Sequence, residues 1–239
     1  FSIIPPKGEF FRDPLNQLHA TILQNEQWNS AINSLKPQYN NGSRLEYRYD
    51  VESSFYGGNE YLFFDTKNIQ ITSANVSMVK LNRLYESYLT TNYLRRGYPY
   101  SFTQDLNGDF IIRTLQGSEN GNIEADYSWV HFSLSTPIVF EDQEVYIYGK
   151  FNNYELNETN KMYYNPALEI YEGVMLLKQG VYNYKFIAKN TKSNLYNEIS
   201  GSHALTENRY LIFVYYRYFG NLYDSLIAVG KTSSFEIFD

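Results

Sequence analysis

Short segments in which apolar and polar residues alternate recur along the chain and predict β-strands. Neighbouring side chains of a strand point to opposite faces, so alternation marks a strand with one buried face. The pattern is present at residues 45–49, 109–113, 129–134 and 145–148. Residues 210–216 are apolar or aromatic at every position, which predicts a central strand buried on both faces. The chain is therefore expected to be all-β.

Two glycine-containing segments predict tight turns between these strands. Residues 171–177 and 182–188 read as strands, and residues 178–180 between them predict a hairpin turn with Gly180 in the left-handed region. The dipeptide Asn107-Gly108 is typical of a type I′ turn, in which both central residues have positive φ. Both turns favour antiparallel strand pairs.

One segment carries weak helical periodicity. Residues 76–85 place apolar side chains at helical spacing, and Asn75 or Ser73 is suited to cap the first turn. We therefore expect one short helix there.

The clearest change in composition along the chain lies at residues 116–122, which are polar and glycine-rich. Such a stretch is typical of a linker. It divides the chain into a β-rich domain at residues 1–118 and a second domain at residues 119–239. The second part has about seven strand segments at short spacing, which predicts a β-sandwich of the immunoglobulin-like, early-set type. Two β-sandwich-like domains are thus expected.

Composition narrows the class of protein. Lys and Arg number 20 and Asp and Glu 26, so the net charge is 20 − 26 = −6, which disfavours nucleic acid as a partner. Cysteine is absent while the chain has 25 Tyr and 16 Phe, so disulfides and thiolate metal sites are excluded and strands are favoured. No apolar run approaches the ~18 residues that a membrane-spanning helix needs. The first residue is Phe rather than Met, which is expected of a mature or excised fragment.

No motif in the chain predicts catalysis. The nucleophile elbow, the phosphate-binding loop and the dinucleotide-binding glycine pattern are all missing from the sequence. His19, His131 and His203 lie on separate segments, whereas a zinc site needs three or four converging ligands. Residues 105–109 imitate the start of a calcium loop but lack its later ligands, so a turn is favoured. We expect no catalytic residue, no metal and no cofactor.

One constellation favours carbohydrate binding. Residues 145–154, Met162 and residues 179–186 together resemble the early strands of the sandwich modules that bind starch or glycogen. Sugar rings stack on exposed aromatic rings and take hydrogen bonds from amide and amine groups. The candidate contacts are Asn153, Tyr154 and Lys185, with Tyr154 at the position where those modules usually have Trp. The alternative interpretation of these aromatic residues is strand packing.

A second resemblance extends over nearly the whole chain. Its blocks include GNEYLFFDTK at 58–67, EADYSWVHF at 124–132 and LLKQGVYNY at 176–184. The others, in order, lie at residues 5–11, 27–29, 47–50, 104–110, 116–118, 146–151, 206–208, 214–217 and 223–227. This succession resembles the plug-protein family of the Bacteroidota type IX secretion system, specifically its middle and C-terminal domains.

The resemblance implies a periplasmic protein at the inner face of the outer membrane. In that family the protein docks on a large outer-membrane translocon β-barrel and closes the pore sterically, without an active site. The chain is then a binding subunit and not an enzyme. Two alternatives stay open: an exported carbohydrate-binding module, and a catalytic domain whose residues converge only in three dimensions.

Two loop segments are candidates for contact with such a partner, because loops tolerate functional residues better than strands do. The candidate residues are Arg95, Arg96, Tyr98 and Tyr100 in one segment and Phe55 and Tyr56 in the other. The alternative for both segments is packing between domains.

Overall fold

The computed structural model describes residues 1–7, 10–115, 120–137, 139–140, 142–190 and 199–235. With 8% helix and 43% strand, the fold is all-β, as the alternation predicts, and its several sheets are consistent with β-sandwich-like folds. The chain divides into two compact units. Unit 1 comprises Phe1–Tyr56 and Glu207–Asp239, and unit 2 comprises Gly57–Thr206.

The strands are numbered in chain order. They are β1 (Ser2–Ile3), β2 (Leu18–Gln24), β3 (Ile32–Leu35), β4 (Tyr39–Asn40), β5 (Leu45–Glu46), β6 (Leu62–Asp65), β7 (Val76–Leu81), β8 (Tyr85–Leu89), β9 (Asn92–Tyr93), β10 (Phe110–Ile112), β11 (Tyr127–Ser135), β12 (Gln143–Tyr148), β13 (Lys161–Asn165), β14 (Ile170–Lys178), β15 (Gly180–Asn190), β16 (Arg209–Tyr216) and β17 (Ser225–Ser233). Two single-turn helices, α1 (Pro14–Gln17) and α2 (Gly121–Glu124), and 3₁₀ turns at Trp28–Ser30, Val51–Ser53 and Lys150–Asn152 complete the described elements.

Unit 1 is built on an antiparallel sheet of order β17-β16-β2-β3, with a small sheet of order β1-β5-β4 beside it. Its core packs Leu18, Ala20 and Ile22 of β2 against Val214 and Tyr216 of β16. The central position predicted for residues 210–216 is confirmed, because β16 lies between β17 and β2. Burial on both faces is wrong: within Arg209–Tyr216, all of it described, just Val214 and Tyr216 are buried.

Unit 2 contains a sheet of ten strands among the described residues. Its path is β10-β15-β12-β13-β14-β11-β8-β7, with β6 paired to β15 and β9 to β11. The sheet curves around one core, since Phe132 of β11 packs against Phe64 of β6 and Tyr184 of β15, at ring-centroid distances of 5.6 and 5.2 Å. Alternate residues of β11 and β14 point into this core.

The expected helix at residues 76–85 is wrong. The segment forms β7 and the start of β8, an antiparallel pair that joins β11 through a parallel pairing of β8. Asn75 has φ of 61° and its side-chain amide donates to the carbonyl of Phe63 at 2.8 Å, so it does not cap a helix. Pairing with a distant strand has overridden a weak local preference.

The expected hairpin around Gly180 is also wrong. β14 pairs with β11 and β13, whereas β15 pairs with β6, β10 and β12. Glycine is required at position 180 for a reason other than a turn: a Cβ there would lie 2.3 Å from the carbonyl oxygen of Ile111 on the neighbouring strand. Close approach of two backbones therefore excludes a side chain there.

The turn at Asn107-Gly108 is confirmed, but the hairpin expected there is wrong, because β10 after the turn pairs with β15 and no described strand lies between β9 and the turn. Asn107 and Gly108 have φ of 54° and 85°, and the N–H of Asp109 donates to the carbonyl of Leu106 at 3.2 Å. Gly108 also lies against the ring of Tyr61, which leaves no room for a side chain.

The compact units differ from the expected domains 1–118 and 119–239. Residue 118 lies outside the described residues, as do 116, 117 and 119 of the expected linker, and β10 and β11 on either side of it both belong to unit 2. Unit 1 instead joins the two ends of the described chain through the pairing of β2 with β16. A composition change cannot distinguish a connection within a unit from a linker between units.

Candidate functional site

The segment at residues 95–100 is a loop of unit 2 with a fixed backbone. It follows β9, and the N–H groups of Arg95 and Arg96 both donate to the carbonyl of Ile199 at 3.0 Å. The N–H of Tyr98 donates to the carbonyl of Arg95 at 3.2 Å, which closes a turn with Gly97 at φ of 85°. Glycine suits this third turn position because it adopts positive φ at no steric cost. The turn holds Tyr98 outward, 67% exposed.

Glu60 anchors both ends of this loop, Tyr100 through its buried carboxylate and Arg95 through its backbone carbonyl. Glu60 is 2% exposed, and the Tyr100 hydroxyl donates to its carboxylate. The Arg95 guanidinium donates to the Glu60 carbonyl oxygen at 2.7 Å. The backbone of Glu60 is itself fixed, because its N–H donates to the side chain of Asn59 at 2.8 Å. Loop and carboxylate therefore form one connected polar network.

Lys185 of β15 lies in the same region. Its Nζ is 3.8 Å from the centroid of the Tyr61 ring, a cation–π geometry. Burial first and the nearby Arg95 second lower the pKa of Lys185, Asp105 and Glu60 act in the opposite direction, and the net pKa is about 7. Burial also lowers the pKa of Arg95. We call Glu60, Arg95, Asp105 and Lys185 the charge cluster.

Asp105 has a structural part in the charge cluster. Its two carboxylate oxygens accept the N–H groups of Tyr61 and Asn107. The side chain thus ties the turn at Asn107-Gly108 to the chain segment that carries Glu60. This geometry supports the expectation of a turn over that of a calcium loop.

The second predicted contact segment belongs to unit 1. The Phe55 ring packs against Tyr210 at a centroid distance of 5.8 Å and against the core of that unit. Tyr56 is exposed, and its carbonyl accepts the side-chain amide of Gln24 at 3.1 Å. Phe55 is therefore largely a packing residue, whereas Tyr56 presents its ring to solvent.

The three glycan-contact candidates do not form an exposed platform. Tyr154 is 6% exposed, its ring packs on Tyr148 at 5.1 Å, and its hydroxyl lies 3.5 Å from the carbonyl of Asn107. Lys185 belongs to the charge cluster, and Asn153 alone is exposed. Asn153 and Tyr154 both have positive φ, and this tight turn directs the tyrosine ring inward. Strand packing is thus the interpretation that fits Tyr154.

The histidines lie apart and each has an aromatic or acidic neighbour. His19 is 3.9 Å from Asp224, the His131 ring stacks on Tyr88 at 4.1 Å, and the His203 ring lies 5.6 Å from that of Tyr100. In the part of the chain that the structure describes, no group of three or more His, Asp and Glu side chains is placed to hold a metal ion. The same residues contain no helix with the length and apolarity to cross a membrane.

Sequence reasoning did not find Glu60, Asp105 or the role of Lys185. Glu60 precedes the apolar run that forms β6, so an acidic residue next to an apolar run was the one available signal. An isolated acid of this kind is usually solvent-exposed. The partners that make it special come from segments distant in the sequence.

Comparison with known proteins identifies a similar solved structure. No protein-family model matches the chain, and no curated protein matches it. The crystal structure of a hypothetical protein from Parabacteroides merdae is similar, with a TM-score of 0.89 and 32% sequence identity. The similarity covers 98% of this chain and 59% of that one. The chain thus shares this fold and spans about 59% of the length of its structural neighbour.

Proposed function

We propose that this chain is part of an accessory subunit that docks on the periplasmic side of an outer-membrane type IX secretion translocon barrel and plugs its pore. The proposal rests on the resemblance of the sequence to the plug-protein family. That the structural neighbour comes from Parabacteroides, a member of the Bacteroidota, agrees with it. In this proposal the chain is not an enzyme, and it is located at the inner face of the outer membrane.

The observation that carries the proposal in structural terms is the fixed loop with Arg96 and Tyr98 on its exposed side. Tyrosine and arginine dominate the binding energy of protein interfaces. A loop that is already ordered before binding loses little conformational entropy on docking. Arg95 and Tyr100 are the anchors of this surface, and Arg96 and Tyr98 are its contacts.

Closure in this proposal is steric. A folded module occupies the opening, and the pore is closed whenever the docked state is the more populated one. Cargo or another subunit that binds the undocked state shifts this equilibrium. As part of the same proposal, we assign the immunoglobulin-like, early-set type to the region of unit 2 that contains β11 to β15.

A retention experiment tests the proposal. The chain is immobilised, and detergent-solubilised outer membranes from a Bacteroidota cell with type IX secretion are passed over it. Mass spectrometry of the retained material is expected to identify the translocon barrel. The variant Arg96→Ala/Tyr98→Ala is expected to lose at least about tenfold of this retention, which corresponds to about 1.4 kcal/mol.

Tyr163→Ala is the matched control, because Tyr163 is also an exposed tyrosine of unit 2 but lies on a different surface. It is expected to retain the barrel as the unaltered chain does. Absence of the barrel from material retained on the folded, unaltered chain contradicts the proposal. Equal retention by the Arg96→Ala/Tyr98→Ala variant contradicts the assignment of the contact to this loop.

A further inference from the structure

One side of the unit 2 sheet turns a row of aromatic and charged side chains outward. In β11, residues 128, 130, 132 and 134 are buried, and the alternate residues point away from the core. The same alternation holds in β14, where Glu172, Val174 and Leu176 are exposed. We call the outward side of β13, β14, β11 and β8 the outer face.

Strand register places the outward residues in rows across these strands. Trp129 of β11 lies opposite Leu176 of β14 and Glu86 of β8. On β13, Tyr163 lies opposite Glu172. Tyr127 and Trp129 of β11 and Tyr163 of β13 are 49%, 40% and 60% exposed, so the outer face displays at least three aromatic rings.

A cleft of about 580 Å³ opens at the β13 side of this face. Tyr163 lines it, and its hydroxyl donates to the Glu158 carboxylate at 2.8 Å. Lys161 donates to Glu158 at 3.5 Å, and Asn165 donates to the Glu172 carboxylate at 2.8 Å. The cleft thus combines one aromatic ring with carboxylate, ammonium and amide groups that hydrogen bonds hold in position.

The charge of the cleft restricts its ligand. Lys161 also donates to Glu144 at 2.6 Å, so two carboxylates already neutralise its ammonium group, and the carboxylate of Glu172 lines the same cleft. An acidic cleft repels phosphates, sulfates and uronates. A neutral polyol avoids this repulsion, since its hydroxyl groups can donate to the carboxylates and its ring can stack on tyrosine.

We infer that this cleft binds a neutral oligosaccharide, with a sugar ring stacked on Tyr163 and its hydroxyl groups bound by Glu158, Lys161, Asn165 and Glu172. The cleft volume lies in the range of small-ligand sites. Trp129, two strands away on the same face, provides a further ring for a ligand longer than the cleft. The site shares no residue with the Arg95–Tyr100 loop, so it goes beyond the proposed function and does not depend on it.

Affinity electrophoresis tests this inference. The full chain is run in native gels that contain soluble starch, hydroxyethyl cellulose or galactomannan, three neutral polysaccharides of different linkage. At least one of them is expected to retard the chain about twofold or more relative to a gel without polysaccharide. Polygalacturonate is expected to have no such effect, because its carboxylates meet the acidic cleft.

Three variants locate the binding. Tyr163→Ala is expected to abolish the retardation, and Tyr163→Phe, which keeps the ring but not the hydroxyl, is expected to preserve part of it. Tyr98→Ala is the matched control and is expected to migrate as the unaltered chain does. Both positions are exposed, so each of the three variants is expected to melt within about 2 °C of the unaltered chain.

Four outcomes overturn the inference. They are no retardation by any of the three neutral polysaccharides, undiminished retardation of Tyr163→Ala, equal retardation by polygalacturonate, and binding of polylysine with no binding of polysaccharide. The last outcome assigns the acidic cleft to a basic protein segment. None of these results bears on barrel retention, which depends on Arg96 and Tyr98, so the two proposals fail independently.

Discussion

Unit 2 exposes tyrosine side chains on the Arg95–Tyr100 loop and on the outer face, and different interactions hold these two surfaces in position. The charge cluster, whose members are partly or fully buried, holds the loop in position: Glu60, Arg95 and Asp105 are hydrogen-bonded, and Lys185 lies against the Tyr61 ring. The outer face is held in position by an apolar core on the opposite side of its strands, to which β11, β12, β14 and β15 all contribute. Charge therefore determines the conformation of one surface, and packing determines that of the other.

This difference predicts different sensitivities. A change of charge or of pH alters the loop first, because removing a buried partner leaves another buried group unsatisfied. A change of core volume alters the outer face first, because strands transmit the position of an inward residue to its outward neighbours. The following variants test the apolar core and the charge cluster separately.

Phe132→Ala is expected to have the largest effect. Phe132 is nearly fully buried and contacts the rings of Phe64 and Tyr184. The cavity it leaves is expected to lower the free energy of unfolding by about 3–5 kcal/mol, as measured by urea denaturation. Trp129→Ala on the outward side of the same strand is the control and is expected to cost less than about 1 kcal/mol. Comparable losses for the two variants would mean that β11 does not separate an inner from an outer face.

Glu60→Gln tests whether the charge cluster anchors the loop. The amide has the shape of the carboxylate but removes the negative charge near Arg95 and Lys185, so a loss of about 2 kcal/mol is expected, typical of a hydrogen bond to a charged group. Barrel retention is expected to weaken with it. Glu158→Gln, at an exposed position of the cleft beside β13, is the control and is expected to change stability by less than about 1 kcal/mol. An unchanged unfolding free energy for Glu60→Gln would remove the charge cluster as the anchor of the loop.

The strands were predictable from the sequence where alternation is regular. Segments 129–134 and 145–148 lie within β11 and β12, because side-chain alternation is a local property. Which segments belong to each unit was not predictable, since unit 1 depends on the pairing of β2 with β16, two strands that are far apart in the sequence. The helix expected at residues 76–85 failed for the same reason, as β8 is stabilised by its distant partner β11.

Lys185→Met gives an effect that depends on pH. The pKa of Lys185 in the folded chain, about 7, lies below its unfolded value of about 10.4. Between these values the unfolded chain binds the extra proton, so this lysine makes stability increase as pH rises, by at most about 1.4 kcal/mol per pH unit. Below pH 7 its full cost is present, and above about pH 10.4 the cost is gone.

Denaturation of the lysine-containing chain and the methionine variant at about pH 6, 8 and 10 measures this contribution, because all other groups are common to the two proteins. The variant is expected to be the more stable at the lowest pH, and the difference is expected to shrink as pH rises. If the unfolding free energies of the two proteins changed equally with pH, the pKa of Lys185 would be the same in the folded and the unfolded chain, and burial would not lower it.

The candidate sites were predictable to different degrees. The sequence around Gly97 and Pro99 predicts a loop, and residues 95–100 form one. The charge cluster could not be predicted from the sequence, because Glu60, Asp105 and Lys185 come from three separate segments. The sequence around one charged residue does not indicate which distant residues will contact it. Tyr154 and Tyr163 show the same limit, because the turn at Asn153 buries one ring and the register of β13 exposes the other.

Gly97→Ala is expected to have the smallest effect on stability and the most specific effect on docking. Gly97 has φ of 85°, and an added Cβ would meet no atom within 4 Å, so the cost of about 1 kcal/mol is purely conformational. Gly42 of unit 1 is a close match, with φ of 84° and equally open surroundings. Both alanine variants are therefore expected to lose the same stability in urea. Barrel retention is expected to fall in Gly97→Ala alone, because that turn holds Tyr98 outward, and an equal fall in Gly42→Ala would trace the loss to general destabilisation.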